Sequence, residues 1–227
     1  MTFIFKGSSM VAELSLLETR VLGVLMEKER TVPDTYPMTI NSLVAGCNQK
    51  TSRAPIISTT ETDVRSTIDS LKSMNLVIES SGGRVSRYTH NFERVLQVPR
   101  QASAILAVLM LRGSQTAGEL RMNSERLHPF SDISSVEGFL NELRDRSAGA
   151  FVTELPRQPG SRENRWAHLL SGAVAIPEFP PGAALVSAAT PSVSELATLK
   201  EDVARIQAEL DELKSVVAGM TAELRLR

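Results

Sequence analysis

The sequence repeats one order of helix and strand signals, and this repetition strongly constrains the fold. The apolar run 21–26 (Val-Leu-Gly-Val-Leu-Met) resembles the run 105–110 (Ile-Leu-Ala-Val-Leu-Met), and residues 87–90 (Arg-Tyr-Thr-His) resemble residues 165–168 (Arg-Trp-Ala-His). The apolar positions of a later helix recur with equal spacing: Val64, Ile68 and Leu71, then Val136, Leu140 and Leu143. Chance similarity between aliphatic helices would explain the helical matches, but it explains the match at 87–90 less well. We interpret the pattern as a tandem duplication.

Each copy is predicted to hold three helices followed by a β-hairpin, which is the element order of a winged-helix domain. In the first copy we expect a helix from Ser15 and two further helices at about 39–47 and 59–74. Strands at 76–79 and 85–89 would follow, joined by a Gly82-Gly83 turn. In the second copy the corresponding helices are lined by residues 102–109, 116–120 and 133–143, and the strands lie at 151–155 and 165–169. The predicted fold class is mainly α with small β-hairpins (α+β), with winged-helix domains at 14–95 and 96–171.

Five helix starts show the pattern of a capping box. In this device a Ser or Thr side chain accepts from a free backbone amide, and a Glu three residues later reaches back. The pairs are Ser15/Glu18, Ser58/Glu61, Thr116/Glu119, Ser134/Glu137 and Ser192/Glu195. At the fourth start, Asp132 is an alternative cap.

The C-terminal part of the sequence has a different pattern. Residues 172–191 are rich in Ala, Gly and Pro and are predicted to be a linker, and residues 192–227 are predicted to form a coiled-coil helix. The apolar seam of that helix is Leu196, Leu199, Val203, Ile206, Leu210, Leu213, Val217, Met220 and Leu224. We therefore expect a homo-oligomer, either dimer or trimer. The alternative is a lone amphipathic helix that packs back on the domains.

Composition and charge restrict the location and the partners. The 227 residues include one cysteine, Cys47, and carry a formal net charge of −1, so we expect a reducing compartment, the cytoplasm, and no broad basic surface. No apolar run is long enough to span a membrane. We expect residues 1–13 to be flexible, and Met10 is an alternative start to Met1.

Several strings resemble the YceH family of bacterial proteins. They include residues 25–29 (Leu-Met-Glu-Lys-Glu), 47–50 (Cys-Asn-Gln-Lys), 125–130 (Glu-Arg-Leu-His-Pro-Phe) and 155–160 (Leu-Pro-Arg-Gln-Pro-Gly). The similarity runs in order through residues 13–172, and the heptad segment lies outside it. The resemblance implies tandem winged helices and implies no established biochemical function. Ala54 and Trp166 depart from the usual residues of the family.

Duplex DNA is the first candidate partner. A winged helix places its third helix in the major groove and its hairpin against phosphate. The candidate contacts are Lys50, Arg53, Arg65, Lys72, Arg84, Arg87, Arg157, Arg162 and Arg165. Acidic residues share the third helices and would repel phosphate. Because these candidate cations could contact phosphate, the first interpretation is a transcriptional regulator. The alternative is a scaffold that uses its winged helices as protein-docking modules.

The residues that could support catalysis are scattered, so we predict no enzyme, no metal and no cofactor. His90, His128 and His168 are far apart in the sequence, and Cys47 has the helical spacing of a core residue. His90 and His168 occupy matching repeat positions, which suggests a hydrogen bond that closes each hairpin.

Two polar connectors occupy equivalent places in the repeat, at residues 48–53 and 125–128. We hypothesise that these connectors meet and lock the two domains together through buried ion pairs.

Overall fold

A computed structural model of the chain describes residues 13–80, 85–157 and 161–174. The helices in these ranges are α1 (Leu16–Thr31), α2 (Ile40–Cys47), α3 (Glu61–Ser73), α4 (Phe92–Leu96), α5 (Arg100–Arg112), α6 (Ala117–Ser124) and α7 (Ile133–Arg144). The strands are β1 (Val77–Ser80), β2 (Arg87–His90), β3 (Val152–Glu154) and β4 (Trp166–His168). The described part is therefore an α+β fold with seven α-helices and two small antiparallel hairpins. None of these helices is both long and apolar enough to cross a lipid bilayer.

The two halves of the fold, residues 14–95 and 96–171, repeat the order of three helices and a hairpin. In each hairpin a valine of the first strand lies opposite a histidine of the second: Val77 opposite His90, and Val152 opposite His168. A bridge also joins the residue two positions before each second helix to the aromatic residue of the hairpin: Met38 to Tyr88, and Gln115 to Trp166. The match at 87–90 and 165–168 thus corresponds to equivalent positions in space.

The helix caps confirm two of the predicted capping boxes and correct two others. Ser15 with Glu18 and Thr116 with Glu119 form both reciprocal bonds. At α3 the predicted cap Ser58 is wrong, because the helix begins at Glu61 and Thr60 caps it together with Asp63.

At α7 the predicted cap Ser134 is also wrong. The alternative, Asp132, accepts a 2.7 Å hydrogen bond from the Ser135 amide. The Asp132 carboxylate, at the position just before the first helical residue, thus takes the place of the predicted Ser134 hydroxyl. The fifth start, at Ser192, and the heptad seam lie outside the described residues.

Helices α1 and α5 form the centre of the fold, and they pack against each other. Residues 19–26 of α1 and 102–111 of α5 are buried without interruption. A helix that is buried on every side is typical of a core position and not of a surface helix with one apolar stripe. Gly23 permits the close approach, because a Cβ atom there would lie 2.8 Å from Leu111 Cγ. The buried apolar residues of both halves consequently form one continuous cluster.

The contact between α2 and α1 requires a glycine in the same way. A Cβ atom at Gly46 would lie 2.6 Å from Cγ1 of the fully buried Val24. We therefore expect Gly46→Ala to lower the free energy of unfolding by about 1–3 kcal/mol, since the added methyl group overpacks the core. Urea denaturation would measure this change.

Gly138 is the matched control, because it lies within helix α7 and a Cβ atom there would meet nothing within 4 Å. Gly138→Ala should raise stability by about 0.5–1 kcal/mol through helix propensity alone. Equal effects of the two substitutions would contradict the proposed packing at Gly46.

Candidate binding surfaces

The candidate cations on helix α3 are already paired with carboxylates. Arg65 Nη2 lies 2.6 Å from Glu61 Oε1. Lys72 Nζ donates to Glu79 and lies 3.8 Å from Asp69 Oδ1. The hydrogen bond that Arg65 donates to Glu61 raises the pKa of Arg65, and the one that Lys72 donates to Glu79 raises the pKa of Lys72. A phosphate group would have to compete with these carboxylates for both cations.

The other candidates of the first half lie on strand β2, in the connector after α2, or outside the described residues. Arg87, on β2, donates through Nη1 to the carbonyl of Pro37 at 2.8 Å. Lys50 is exposed in the connector after α2. Arg84 lies outside the described residues. Of the described candidates here, Arg87 is therefore already engaged by a backbone carbonyl.

Arg53 does not belong to the surface, so its prediction as a phosphate contact is wrong. Its side chain has no exposed area, and its guanidinium forms a two-pronged pair with Glu27 at 3.2 and 2.6 Å. Its Nε donates to the carbonyl of Gly46 at 3.2 Å. Burial raises the pKa of Glu27, but the hydrogen bond and the charge of Arg53 outweigh this effect and lower the pKa overall. The pair ties the connector to helix α1.

A second buried arginine, Arg20, lies next to this pair. Its guanidinium donates to the carbonyls of Cys47 at 3.2 Å and Pro55 at 2.6 Å. Burial and the neighbouring charge of Arg53 both lower the pKa of Arg20. Arg20 and Arg53 thus both donate to the carboxyl end of α2, where the helix dipole favours positive charge. Sequence reasoning missed Arg20, although its place on the apolar stripe of α1 was a signal of burial.

The hypothesis that the two polar connectors meet is also wrong. Arg126 is exposed in the second connector. The first connector instead contacts helix α5: Ser52 Oγ accepts a 2.8 Å hydrogen bond from Arg112 Nη2, and the amide of Ala54 donates to the carbonyl of Leu111 at 2.8 Å. At this place the two halves are joined because the connector after α2 packs against the carboxyl end of α5.

The candidate arginines of the second half differ in whether a carboxylate already pairs with them. Arg165 Nη2 pairs with Glu119 at 2.7 Å and also donates to the carbonyl of Ser114. Arg157 contacts Asn164 at 3.4 Å, and Arg162 is exposed. Of these three arginines, only Arg165 makes an ion pair with a described residue.

Both third helices expose more negative than positive charge. Helix α3 and strand β1 carry four carboxylates against two cations: Glu61, Asp63, Asp69 and Glu79 against Arg65 and Lys72. Helix α7 with its two caps carries four carboxylates against one cation: Asp132, Glu137, Glu142 and Asp145 against Arg144. The single cation of α7 is itself paired with Asp145 at 2.8 Å. These helices therefore carry a net negative charge.

A small polar cleft lies between the two halves. Its volume is about 90 Å³, and it is lined by Met26, Glu29, Arg30, His90, Glu93, Arg100, Ser103, Ala104, Ala107, Leu127 and His128. Two of the three histidines thus lie in one cleft, although the sequence separates them widely. Sequence reasoning missed this cleft, because its residues come from α1, β2, α4, α5 and a connector and share no local spacing.

The third histidine, His168, and the cysteine, Cys47, do not line this cleft. Burial lowers the pKa of His168 to about 4, and its Nδ1 has no hydrogen-bond partner among the described residues. The predicted bond closing the second hairpin is therefore not seen, whereas His90 contacts Glu29 and the amide of Phe92. Cys47 is fully buried, which confirms the prediction of a core residue, and burial raises the pKa of its thiol to about 12.

The fold and these surfaces together define an α+β protein with two repeated halves, each of which exposes an acidic helix. Comparison with known proteins agrees with the strings noted in the sequence. A family model described as "Protein of unknown function, DUF480" matches residues 14–161. The chain belongs to this family, which confirms the resemblance to the YceH proteins.

Relatives named as UPF0502 proteins align with nearly the whole chain. A "UPF0502 protein" of Dechloromonas aromatica is 57% identical over 211 residues, which are 93% of this chain and 97% of the relative. A relative from Burkholderia multivorans is 53% identical over 212 residues, which are 93% of this chain and 89% of the relative. One from Burkholderia pseudomallei, with the same coverage, is 52% identical.

We expect Arg53→Ala to be strongly destabilising. It would leave Glu27 without its partner in a partly buried position, and breaking such a pair costs about 3 kcal/mol or more. Thermal or urea unfolding would measure the loss. The control is Arg65→Ala, which removes an exposed pair that solvent screens, so it should change stability far less than Arg53→Ala does. Similar losses for both variants would show that burial does not set the strength of the Arg53–Glu27 pair.

The same pair predicts a pH dependence of stability. The pKa of Glu27 is lowered from 4.5 in the folded protein, so its stabilising contribution is present above that value and is lost as pH falls through the folded pKa. The stability difference between the wild type and Glu27→Gln should therefore be full at neutral pH and shrink below about pH 4.5. Unfolding curves across this range would check it, and a difference that grows on acidification would contradict the assignment.

Proposed function

We propose that this chain is a non-enzymatic binding protein with two winged-helix modules, and that it docks a protein partner through a basic segment of that partner. The repeated order of three helices and a hairpin supports the winged-helix assignment. In such a module the third helix is the element that most often contacts a partner. Helices α3 and α7 are therefore the faces on which the proposal depends.

The observation that carries the proposal is the excess of carboxylates on these two helices. Duplex DNA is bound largely through neutralisation of its phosphates by Lys and Arg. Arg65 and Lys72 on α3, and Arg144 on α7, are already held by carboxylates of the same surface. Such a surface repels a phosphate backbone and attracts a cationic protein segment.

Helix α7 is the better docking face of the two. Its exposed side presents Ile133, Glu137 and Asn141 at a spacing of four residues, so these side chains lie along one stripe. Ile133 is 45% exposed and offers an apolar anchor at the beginning of the stripe. Glu137, one turn further along the same stripe, is exposed and supplies negative charge beside it, and Glu142 adds an exposed carboxylate nearer the end of the helix. An apolar anchor surrounded by charge is a frequent arrangement in protein interfaces.

Transcriptional regulation through duplex DNA is the second candidate function. It is favoured by Lys50, Arg157 and Arg162, which make no ion pair with a described residue. Oligomerisation through residues 192–227 and a cytoplasmic location also stay predictions. Pairing of two chains would serve either function, because it would present two copies of each face.

The docking function can be tested by incorporating a photo-crosslinking amino acid into the protein at a chosen position. The variant is then expressed in a bacterium that carries the protein. We expect crosslinks from position 141 on α7 to a protein with a basic segment. Asn41, an exposed asparagine on α2, is the matched control position. The crosslink at position 141 should disappear in the Glu137→Lys, Glu142→Lys double variant, and the affinity of the purified partner should fall about tenfold or more.

Binding to duplex DNA, measured by fluorescence anisotropy over a salt series, separates the two functions. We expect no binding by the wild type near physiological salt. Tight binding that weakens steeply with salt, and that is lost in Arg157→Gln, Arg162→Gln, would overturn the docking proposal and support a DNA regulator. Crosslinks of equal strength from positions 41 and 141 would also contradict a docking face on α7.

A further inference from the structure

The cleft between the two halves contains polar groups that are held loosely. Arg30 lies 3.4 Å from Glu29 and 3.4 Å from Glu93, and His90 Nε2 lies 3.3 Å from Glu29. Charge-assisted hydrogen bonds in proteins are usually about 2.7–2.9 Å long. The buried pair of Arg53 and Glu27, at 2.6 Å, shows that this fold also builds tight pairs. The charged groups of the cleft therefore keep capacity for a further partner.

Other groups of the cleft make no hydrogen bond through their side chains to the residues that the structure describes. These are the Arg100 guanidinium, the Ser103 hydroxyl and the ring nitrogens of His128, whose ring stacks edge-on against Phe130. Ser103 is only 4% exposed. Because Ser103 lines the cleft, a polar group within the cleft would offer its hydroxyl a hydrogen-bond partner.

The charges and the size of the cleft restrict what it can hold. The lining contains two arginines, Arg30 and Arg100, and two glutamates, Glu29 and Glu93. A volume of about 90 Å³ corresponds to roughly three water molecules, which suits only a small molecule. A simple anion would meet both carboxylates, and a simple cation would meet both arginines. A molecule that carries one charge of each sign can place each charge beside a group of the opposite sign.

We propose that the cleft binds a small α-amino acid as a zwitterion. Its carboxylate would accept from Arg100 and His128, and its ammonium group would donate to Glu29 and Glu93. The apolar part of the lining would surround a short side chain such as that of alanine: Met26, Ala104, Ala107 and Leu127. Because the lining comes from α1, β2 and α4 of the first half and from α5 and the connector after α6 of the second half, the ligand would contact both halves of the fold at once.

Isothermal titration calorimetry on the full chain tests this proposal, with L-alanine, acetate and methylamine as separate probes. We expect L-alanine to bind with one site per chain, and acetate and methylamine to bind at least about tenfold more weakly, because each lacks one charged contact. Binding of either single-charge probe as tightly as L-alanine would overturn the zwitterion assignment. Absence of heat and of any thermal shift with glycine, alanine and serine at millimolar concentration would overturn the site itself.

Variants locate the site independently of the probes. Arg100→Gln and Glu93→Gln should each weaken L-alanine binding about tenfold, since each removes a charged hydrogen-bond partner. Arg94→Gln and Glu163→Gln are the matched controls, because both residues are exposed outside the cleft. Unchanged binding in both cleft variants would contradict the proposal. If a cleft variant fails to fold, the order of the three probes on the wild type still decides the outcome.

Discussion

Helices α1 and α5 exclude solvent from each other along most of their length, and the arrangement of every other element follows from this contact. Gly23 allows the two helices to approach closely, and a side chain there would collide with Leu111. The buried residues on either side belong to one apolar cluster that spans both halves. Since burial of apolar surface is the main favourable term in folding, the halves are stabilised together. The connector after α2 also packs on the end of α5, so the halves are joined at more than one place.

The charged residues of the fold serve two different purposes, which their burial distinguishes. Arg20 and Arg53 are interior and hold the carboxyl end of α2 through backbone carbonyls. Arg65 and Lys72 are on the surface, but carboxylates of the same surface hold them. The net negative charge of the third helices comes from the remaining acidic residues. This charge is the basis for proposing a cationic protein segment and not a phosphate backbone as the partner.

Sequence patterns predicted the elements well and the partners of charged side chains poorly. The capping boxes at Ser15 and Thr116 are correct because a capping box joins residues only three positions apart. The same kind of reasoning chose Ser58 where Thr60 caps the helix, since several capping residues stand next to one another there. For Arg53 the sequence shows a positive charge in a polar connector. It does not show that Glu27, which lies 26 positions earlier, holds it in the interior.

The order of helices and hairpins could be derived from the residues alone, because helical and strand periodicities and turn signals are local properties of the chain. The family could be recognised in the same way, from short strings of neighbouring residues. Only the tertiary structure decided which arginines are buried, which histidines share a cleft, and how the two halves share a core. Those outcomes depend on contacts such as Arg30 with Glu93 and His90 with Glu29, which join residues 63 and 61 positions apart. No local pattern encodes such pairs, since packing in three dimensions brings them together.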